Sequence, residues 1–327
     1  MKNKLYCLAI LSIFSLLIFQ VNAQEKQKTY VNKNQTPGLE KLVVEQNGLH
    51  FFVIGDWGKN GYFHQKEVAV MMHQTGFVLE PEFIISTGDN FYPDGVASVQ
   101  DPFFKSSFED IYEGFNLFCP WYITLGNHEY RGNSQAIIDY AEISQRWKMP
   151  DRYYFKDMQL EDSEATARFI FLDTSPFEDE YYEREKYKNV KKQDSLKQKK
   201  WLEKTLKEST AEWNIIIGHH PFYTSGKRKE DIPYVRNHLE PLIEKYKVDA
   251  YFAGHEHDLQ HQKPENVVTH HFVSGAGAET RPTGSLPYTK FSNAESGFMA
   301  VSLLKNKMHI QVINWKGEVI YQTKINR

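Results

Sequence analysis

Five short apolar segments of this chain each end in a glycine that is followed by Asp, Asn or His. Each segment has the length and composition of a buried strand, and helical patterns lie between several of them. Strands that alternate with helices predict parallel βαβ units, and ligands bind at the carboxyl ends of such strands. We therefore expect the five clusters to lie together at one edge of a sheet. They are Gly55-Asp56-Trp57-Gly58, Gly88-Asp89-Asn90-Phe91-Tyr92, Gly126-Asn127-His128-Glu129, Gly218-His219-His220-Pro221 and Gly254-His255-Glu256-His257.

The remaining patterns predict one domain over residues 48–327, because no repeat or linker divides the chain. The last third is rich in strands, which predicts a second, more antiparallel sheet packed on the first. The predicted strands are Leu49–Ile54, Phe83–Ser86, Trp121–Leu125, Arg168–Leu172, Trp213–Ile217, Asp249–Ala253, Val267–Val273, Phe298–Leu304, His309–Asn314 and Glu318–Ile325. The predicted helices are Phe63–Gln74, Ser134–Arg146, Ser195–Glu208 and Tyr234–Tyr246.

The N-terminus has the pattern of a secretory signal peptide. Lys2 and Lys4 precede an apolar run over residues 5–19, and Val21-Asn22-Ala23 supplies small residues before a cleavage site. This predicts a signal peptide over residues 1–23, a polar lead-in over 24–47 and export to the periplasm or the medium. An uncleaved anchor is the alternative, but the run is shorter than the ~20 residues that span a bilayer. No other stretch is apolar enough to cross a membrane.

The composition restricts the kind of site that the clusters can form. The chain has 13 His and only 2 Cys, and Cys7 leaves with the signal peptide. Cys119 lies in an apolar run, where we expect a buried, unreactive thiol. A disulfide framework and a thiolate zinc site are therefore excluded, so a metal site would use His and carboxylates. The formal charge of −3 argues against nucleic-acid binding.

The clusters resemble those of the calcineurin-like metallophosphoesterases, and among them the purple acid phosphatases of the small, tartrate-resistant type. Most members of the superfamily have Asp-x-His in the first cluster, whereas Asp56-Trp57-Gly58 lacks that His. Tyr92, three residues after Asp89, replaces the missing ligand, as a tyrosine does in purple acid phosphatases. The resemblance runs from about Leu49 to the C-terminus. It implies an α/β fold in which two mixed β-sheets pack as a sandwich with helices on the outer faces.

The resemblance also implies a dinuclear centre of Fe(III) and a second divalent metal, Fe, Zn or Mn. A phenolate ligand suits iron(III), which is a hard acid. The implied activity is that of a secreted acid phosphatase that attacks phosphate monoesters with a metal-bound hydroxide. Small phosphate esters or phosphoproteins would be its substrates. The iron would take Asp56, Asp89, Tyr92 and His257, and the second metal Asp89, Asn127, His219 and His255, so that Asp89 bridges them.

Two histidines are the candidate catalytic residues. His128 follows the ligand Asn127, and we expect it to stabilise the transition state or protonate the leaving group. A structural hydrogen bond is the alternative for His128. His220 stands where the family tends to have Tyr, and Arg228 stands where it has a second histidine that protonates the leaving group. We expect the candidate phosphate contacts to come from His220, Tyr223, Lys227 and Arg228, and a solvated Lys227-Arg228-Lys229 is the alternative.

Several alternatives stay open at the level of the sequence. Glu129 and Glu256 are expected to hold ligands in place. The basic segment 184–200 is either a docking strip for an anionic substrate or, as the pattern favours, a solvated loop and helix face. A phosphodiesterase or nucleotidase of the same superfamily is the second function considered. A non-catalytic, metal-binding surface protein is the third.

Overall fold

The computed structural model describes residues 39–229 and 234–327. The signal peptide over 1–23 and residues 24–38 of the lead-in lie outside the described residues. The end of the lead-in packs on the sheet, because the Val43 amide nitrogen lies 2.8 Å from Gln311 Oε1. In the part of the chain that the structure describes, no helix combines the length and the apolar character that a membrane span needs.

The described residues form fourteen strands and four α-helices. The strands are β1 Leu49–Ile54, β2 Phe83–Ser86, β3 Trp121–Ile123, β4 Trp147–Lys148, β5 Tyr154–Gln159, β6 Thr166–Phe171, β7 Trp213–Ile217, β8 Ala250–Ala253, β9 Leu259–Gln262, β10 His270–Ser274, β11 Thr289–Asn293, β12 Gly297–Leu304, β13 Lys307–Asn314 and β14 Val319–Asn326. The helices are α1 Gln65–Leu79, α2 Ser134–Asp139, α3 Ser195–Lys207 and α4 Tyr234–Lys245.

The strands form two seven-stranded mixed sheets, which confirms the predicted fold class. The first sheet has the order β14-β13-β12-β1-β2-β3-β4, and the second has β11-β9-β10-β8-β7-β6-β5. The prediction that the last third makes the second sheet is right for β8 to β11 and wrong for β12 to β14. β12 pairs antiparallel with β1, so the C-terminal strands extend the first sheet, and residues 154–293 build the second.

The two sheets pack face to face through aromatic side chains. Side chains alternate between the two faces of a strand, so Phe169 of β6 points inward while Ile170 points outward. The Phe169 ring centroid lies 5.2 Å from that of Phe51 and 5.3 Å from that of Phe83, both in the first sheet. On the outer face, Ile170 packs in a second apolar layer with Leu202 of α3.

Two local predictions need correction. The predicted helix Ser134–Arg146 ends at Asp139, because Tyr140 stacks on Phe104 and the chain then turns into β4. Cys119 is half-buried rather than buried. Burial nevertheless raises the pKa of its thiol to about 11, so the thiol stays protonated and unreactive at neutral pH.

Candidate metal centre

Two carboxylates and a phenol converge where β1 and β2 end. The Tyr92 hydroxyl lies 2.9 Å from Asp56 Oδ1 and 3.0 Å from Asp89 Oδ2. All three side chains are buried. The Tyr92 hydroxyl has one hydrogen and donates it to only one of the two carboxylates at a time. The other carboxylate then faces the phenolic oxygen, which is itself an acceptor. Either a proton on Asp56 or a metal cation between the three oxygen atoms resolves this.

His257, which follows β8, completes this first group of donors. Its Nε2 lies 3.1 Å from the Tyr92 hydroxyl and 3.4 Å from Asp56 Oδ1. The four residues that the resemblance assigns to iron are thus brought together, with two carboxylates, a phenol and an imidazole in one cluster.

A second group of donors lies on the other side of Asp89. His219 Nδ1 lies 2.9 Å from the Thr87 carbonyl and must donate to it, which leaves Nε2 as the ring nitrogen that faces the other donors. The Asn127 amide nitrogen donates to the Tyr187 hydroxyl at 3.0 Å, which turns Asn127 Oδ1 toward His219 Nε2 at 3.2 Å. Burial lowers the pKa of His219, but attraction from Asp89 outweighs it and raises that pKa to about 9, so a cation, either this proton or a metal ion, lies between Nε2 and the oxygen atoms. His255 Nδ1 is 3.1 Å from the same His219 nitrogen.

Asp89 lies between the two groups. Its Oδ2, which is close to Tyr92, is also 3.4 Å from His219 Nε2. The donor atoms of Asp56, Asp89 and His219 all lie within 4.8 Å of one another, as do those of His219, His220 and His255. All seven predicted ligands therefore meet, and the donor set fits a pair of metal ions.

The pKa values show how much this cluster lacks positive charge. Burial, together with repulsion from Asp89, raises the pKa of Asp56 to about 8. Burial also raises the pKa of Asp89, but attraction from His219 outweighs it and holds that pKa well below its usual range. Burial and the two carboxylates raise the pKa of Tyr92 far above that of an exposed tyrosine. Bound cations reverse this balance, because their charge favours the ionised form of each ligand.

The backbone at the strand ends is unusual and brings the ligands close. Asp56, Asp89 and His255 have φ of 56°, 51° and 69°, a region that non-glycine residues rarely adopt. Such strain clusters at functional sites, where the surroundings enforce it. At Gly88, with φ of 96°, an added Cβ would lie 2.8 Å from His219 Nδ1, so only glycine fits there.

Glu129 holds the Asp89 loop in place. Its buried carboxylate accepts hydrogen bonds from the backbone nitrogens of Gly126 at 2.6 Å, Asn90 at 2.8 Å and Asp89 at 3.1 Å. These contacts join the loop after β2 to the loop after β3, so the Asp89 carboxylate and Asn127 are fixed relative to each other.

Glu256 anchors the other side of the site. Its carboxylate pairs with Arg228 at 2.9 Å and accepts from the Lys227 amide at 3.0 Å. Arg228 also donates to the His255 carbonyl at 3.3 Å. A guanidinium stays charged, so Arg228 supplies positive charge near the ligands and does not act as an acid.

His128 and His220 differ in what they offer to a substrate. His128 donates through Nδ1 to the Pro93 carbonyl, and its Nε2 lies 3.8 Å from Asp89 Oδ2 beside the open cavity. His220 is buried, with its two ring nitrogens 2.8 Å from the hydroxyls of Thr174 and Tyr181. Catalytic roles for both histidines stay predictions, and His220 has both nitrogens engaged.

Sequence reasoning missed the residues that support the ligands from the segment after β6. Tyr181 and Tyr187 lie in the 3-10 helices Asp179–Glu183 and Glu185–Lys192, which follow no strand directly. Their hydroxyls contact His220 and Asn127. Tyr187 lies within the basic segment 184–200 and Tyr181 lies just before it, and no spacing rule links either tyrosine to the predicted ligands.

A cavity of about 620 Å³ opens above the cluster of predicted metal ligands, and four of the seven line it. Asp89, Asn127, His255 and His257 lie at its inner end, beside His128 and His220. The site is therefore open to a ligand considerably larger than a phosphoryl group.

Comparisons with known proteins agree with this geometry. The profile of the family "Calcineurin-like phosphoesterase" matches residues 49–259. The chain is 33% identical over 297 residues to purple acid phosphatase 3 of Arabidopsis thaliana, covering 84% of this chain and 77% of that one. It is 31% identical over 304 residues to human tartrate-resistant acid phosphatase type 5, covering 85% and 91%.

A solved structure shares the fold and an appreciable part of the sequence. It is described as GAP50, the anchor in the inner membrane complex of Plasmodium, with a TM-score of 0.74 and 26% identity. The match covers 86% of this chain and 89% of that one. With its cluster of metal donors and its purple and tartrate-resistant acid phosphatase relatives, the chain belongs to the calcineurin-like phosphoesterase family.

Proposed function

We propose that this protein hydrolyses phosphate monoesters at a dinuclear Fe(III)–M(II) centre, where M is Fe, Zn or Mn. The observation that carries the proposal is the position of Tyr92, whose hydroxyl lies within 3.1 Å of donor atoms on Asp56, Asp89 and His257. The similarity to purple and tartrate-resistant acid phosphatases supports the same activity.

The donor chemistry supports two different metal ions. Asp56, Asp89 and Tyr92 provide oxygen ligands of the hard type that iron(III) favours. His219, His255 and Asn127 provide the imidazole and amide ligands that suit a divalent ion of borderline character. When bound, two metal ions supply positive charge to the phosphoryl oxygens and lower the pKa of a bound water molecule.

The residues of the chain orient the site and move the proton. Asp89 holds its position through Glu129 and through the His128 amide, which donates to Asp89 Oδ1 at 2.8 Å. His128 Nδ1 is engaged by the Pro93 carbonyl, so a second proton on that ring sits on Nε2. We assign to this Nε2 proton the role of protonating the leaving oxygen or stabilising its charge.

The substrate class is tested with p-nitrophenyl phosphate and bis(p-nitrophenyl) phosphate on the metal-loaded protein. We expect the monoester to have the higher kcat/KM. A preference for the bis-ester would instead support the phosphodiesterase alternative. Failure to hydrolyse either ester would favour a non-catalytic protein, the alternative that the similarity to GAP50, described as an anchor, raises. The complete set of ligands around an open cavity favours the enzyme.

The role of His128 is tested by the variant His128→Asn. Loss of a proton donor typically lowers the rate 10²- to 10⁴-fold, so we expect kcat to fall by at least about 100-fold. His238→Asn is the matched control, because His238 does not line the cavity and its Nε2 pairs with Asp179 at 3.1 Å. Equal kcat values in the two variants would overturn the assignment of His128.

Export is part of the proposal. Cleavage after Ala23 would release a chain that begins at Gln24, in the periplasm or the medium. N-terminal sequencing of the protein recovered from those fractions tests it, and an intact Met1 would contradict it.

A further inference from the structure

Apart from the predicted metal ligands, the cavity is lined by cationic side chains from four separate parts of the sequence. The lining residues other than the predicted metal ligands, His128 and His220 are called the outer wall. Arg131 follows β3, Arg184 and Lys186 follow β6, Arg228 follows β7, and Arg281 follows β10. The fold brings them together around the opening above the metal ligands. Of the basic segment 184–200, only Arg184 and Lys186 line the cavity.

The acidic side chains of the wall balance only part of this charge. Arg184 pairs with Glu180, and Arg228 pairs with Glu256 at 2.9 Å. The carboxylate nearest to Arg131 is that of Asp94, at 3.9 Å. Among residues 39–229 and 234–327, no ion pair involves Lys186 or Arg281.

Glu178, the remaining acid of the outer wall, contributes little negative charge in acid. Burial raises the pKa of its carboxyl to about 7, and the Val235 amide donates to it at 3.1 Å. Below that pH most of the Glu178 carboxyl is neutral. The outer cavity therefore keeps a positive excess in addition to any charge from bound metal ions.

Arg131 is the cation whose distance from a predicted metal ligand, Asn127, follows from a shared hydrogen-bond partner. Arg131 donates to the Tyr187 hydroxyl at 3.0 Å, and the same hydroxyl accepts from the Asn127 amide at 3.0 Å. The Arg131 and Asn127 nitrogens are thus no more than about 6 Å apart. A ligand whose phosphoryl group sits at the metal ligands therefore has Arg131 within reach of a neighbouring substituent.

We propose that the cavity selects small phosphate monoesters that carry a second phosphate group, which the cations of the outer wall bind. This inference rests on the proposed monoesterase activity and names its substrate class. A cavity of about 620 Å³ has room for both groups, since pockets of 300–1,000 Å³ enclose ligands of drug size. Arg281 and Lys186, as the cations without an ion pair in the described residues, are the specificity-determining side chains.

The test compares fructose 1,6-bisphosphate with fructose 6-phosphate on the metal-loaded, full-length protein. An ion pair at a half-exposed site changes binding by up to about fivefold. Two such contacts predict a kcat/KM about tenfold higher for the bisphosphate, beyond the factor of two from its two phosphates. Raising the salt concentration from 0.05 to 0.5 M should shrink this ratio, because salt screens exposed charges.

The variants Arg281→Gln and Lys186→Gln locate the effect. Each should lower the ratio of the two kcat/KM values by about 2- to 5-fold, and the double variant by about tenfold. Lys191→Gln is the matched control, since Lys191 is exposed in the same segment but does not line the cavity. We expect the control to keep the wild-type ratio.

Four outcomes would overturn the inference. Hydrolysis of both sugars with equal kcat/KM, or a ratio that both variants leave unchanged, would overturn the substrate class alone. A higher kcat/KM for an acidic phosphoserine peptide than for the bisphosphate would assign the outer wall to phosphoproteins instead. Hydrolysis of neither sugar nor p-nitrophenyl phosphate would overturn the proposed function and this inference with it.

Discussion

The variant Tyr187→Phe should weaken the second metal site without disturbing the fold. The Tyr187 hydroxyl is the acceptor that orients the Asn127 amide, so its loss leaves a buried N–H group without this partner. An unsatisfied buried donor costs about 1–3 kcal/mol, and the amide also becomes free to turn its oxygen away from His219. Loss of a residue that orients a ligand typically lowers metal affinity 10- to 100-fold, which is about 1.4–2.8 kcal/mol.

The assay is competition of the protein with a chelator for the more weakly held divalent ion, after iron has been loaded. We expect the dissociation constant of that ion to rise about 10- to 100-fold in Tyr187→Phe. Tyr182→Phe is the matched control, because Tyr182 lies in the same segment and donates to the Pro176 carbonyl. Dissociation constants that agree within twofold for wild type, Tyr187→Phe and Tyr182→Phe would refute the reasoning.

Two further predictions concern stability. The pKa of Glu178 rises from 4.5 to about 7 on folding, so its protonated form stabilises the fold below about pH 4.5, and this stabilisation is lost as the pH rises through 7. Urea titrations at pH 4 and pH 8 give the fall in unfolding free energy that the titration of Glu178 causes. In Glu178→Gln this fall should be smaller than in the wild type by up to about 3 kcal/mol, and an equal fall in both proteins would contradict the raised pKa of Glu178. Phe169→Ala should lower the unfolding free energy by about 3–5 kcal/mol, because Phe169 packs edge-on against both Phe51 and Phe83. Phe115→Ala, at a side chain that is 83% exposed, should change it by under about 0.5 kcal/mol, and equal effects would count against the sheet-to-sheet packing.

The strands that carry the site were predictable from the sequence. The bounds of β1, β2 and β7 coincide with the predicted Leu49–Ile54, Phe83–Ser86 and Trp213–Ile217. These segments are mostly apolar because nearly all of their side chains are buried on both faces, His50 and Asn214 being only partly buried. Each ends near a glycine that lets the chain turn. The donors that follow them had to meet, because parallel strands present their carboxyl ends at one edge.

The pairing of the C-terminal strands was not predictable in the same way. β12 pairs with β1 across about 250 residues of sequence, with Leu49 opposite Leu303. An apolar pattern indicates that a strand is buried but does not indicate which sheet it joins. The sequence was therefore compatible with a second sheet at the C-terminus, and only long-range packing decided against it.

β9 was missed because its composition is polar. Gln260 and Gln262 lie in a strand that is buried throughout. Their amides are satisfied by hydrogen bonds, such as that from the Ser225 nitrogen to Gln260 Oε1 at 2.8 Å and that from Gln262 to the Ser225 hydroxyl at 3.0 Å. Partners supplied by a distant loop make such a strand stable, and no pattern within four residues reveals them.

The central claim is that Tyr92 and its neighbours bind iron in a centre of two metal ions. The most direct measurement is the metal content of the purified protein together with its visible absorption spectrum, for wild type and for Tyr92→Phe. We predict two metal ions per wild-type chain, at least one of them iron, and a visible band that disappears in Tyr92→Phe while iron is retained. A wild-type chain that binds no iron, or an iron-loaded Tyr92→Phe variant with an unchanged visible band, would contradict the account.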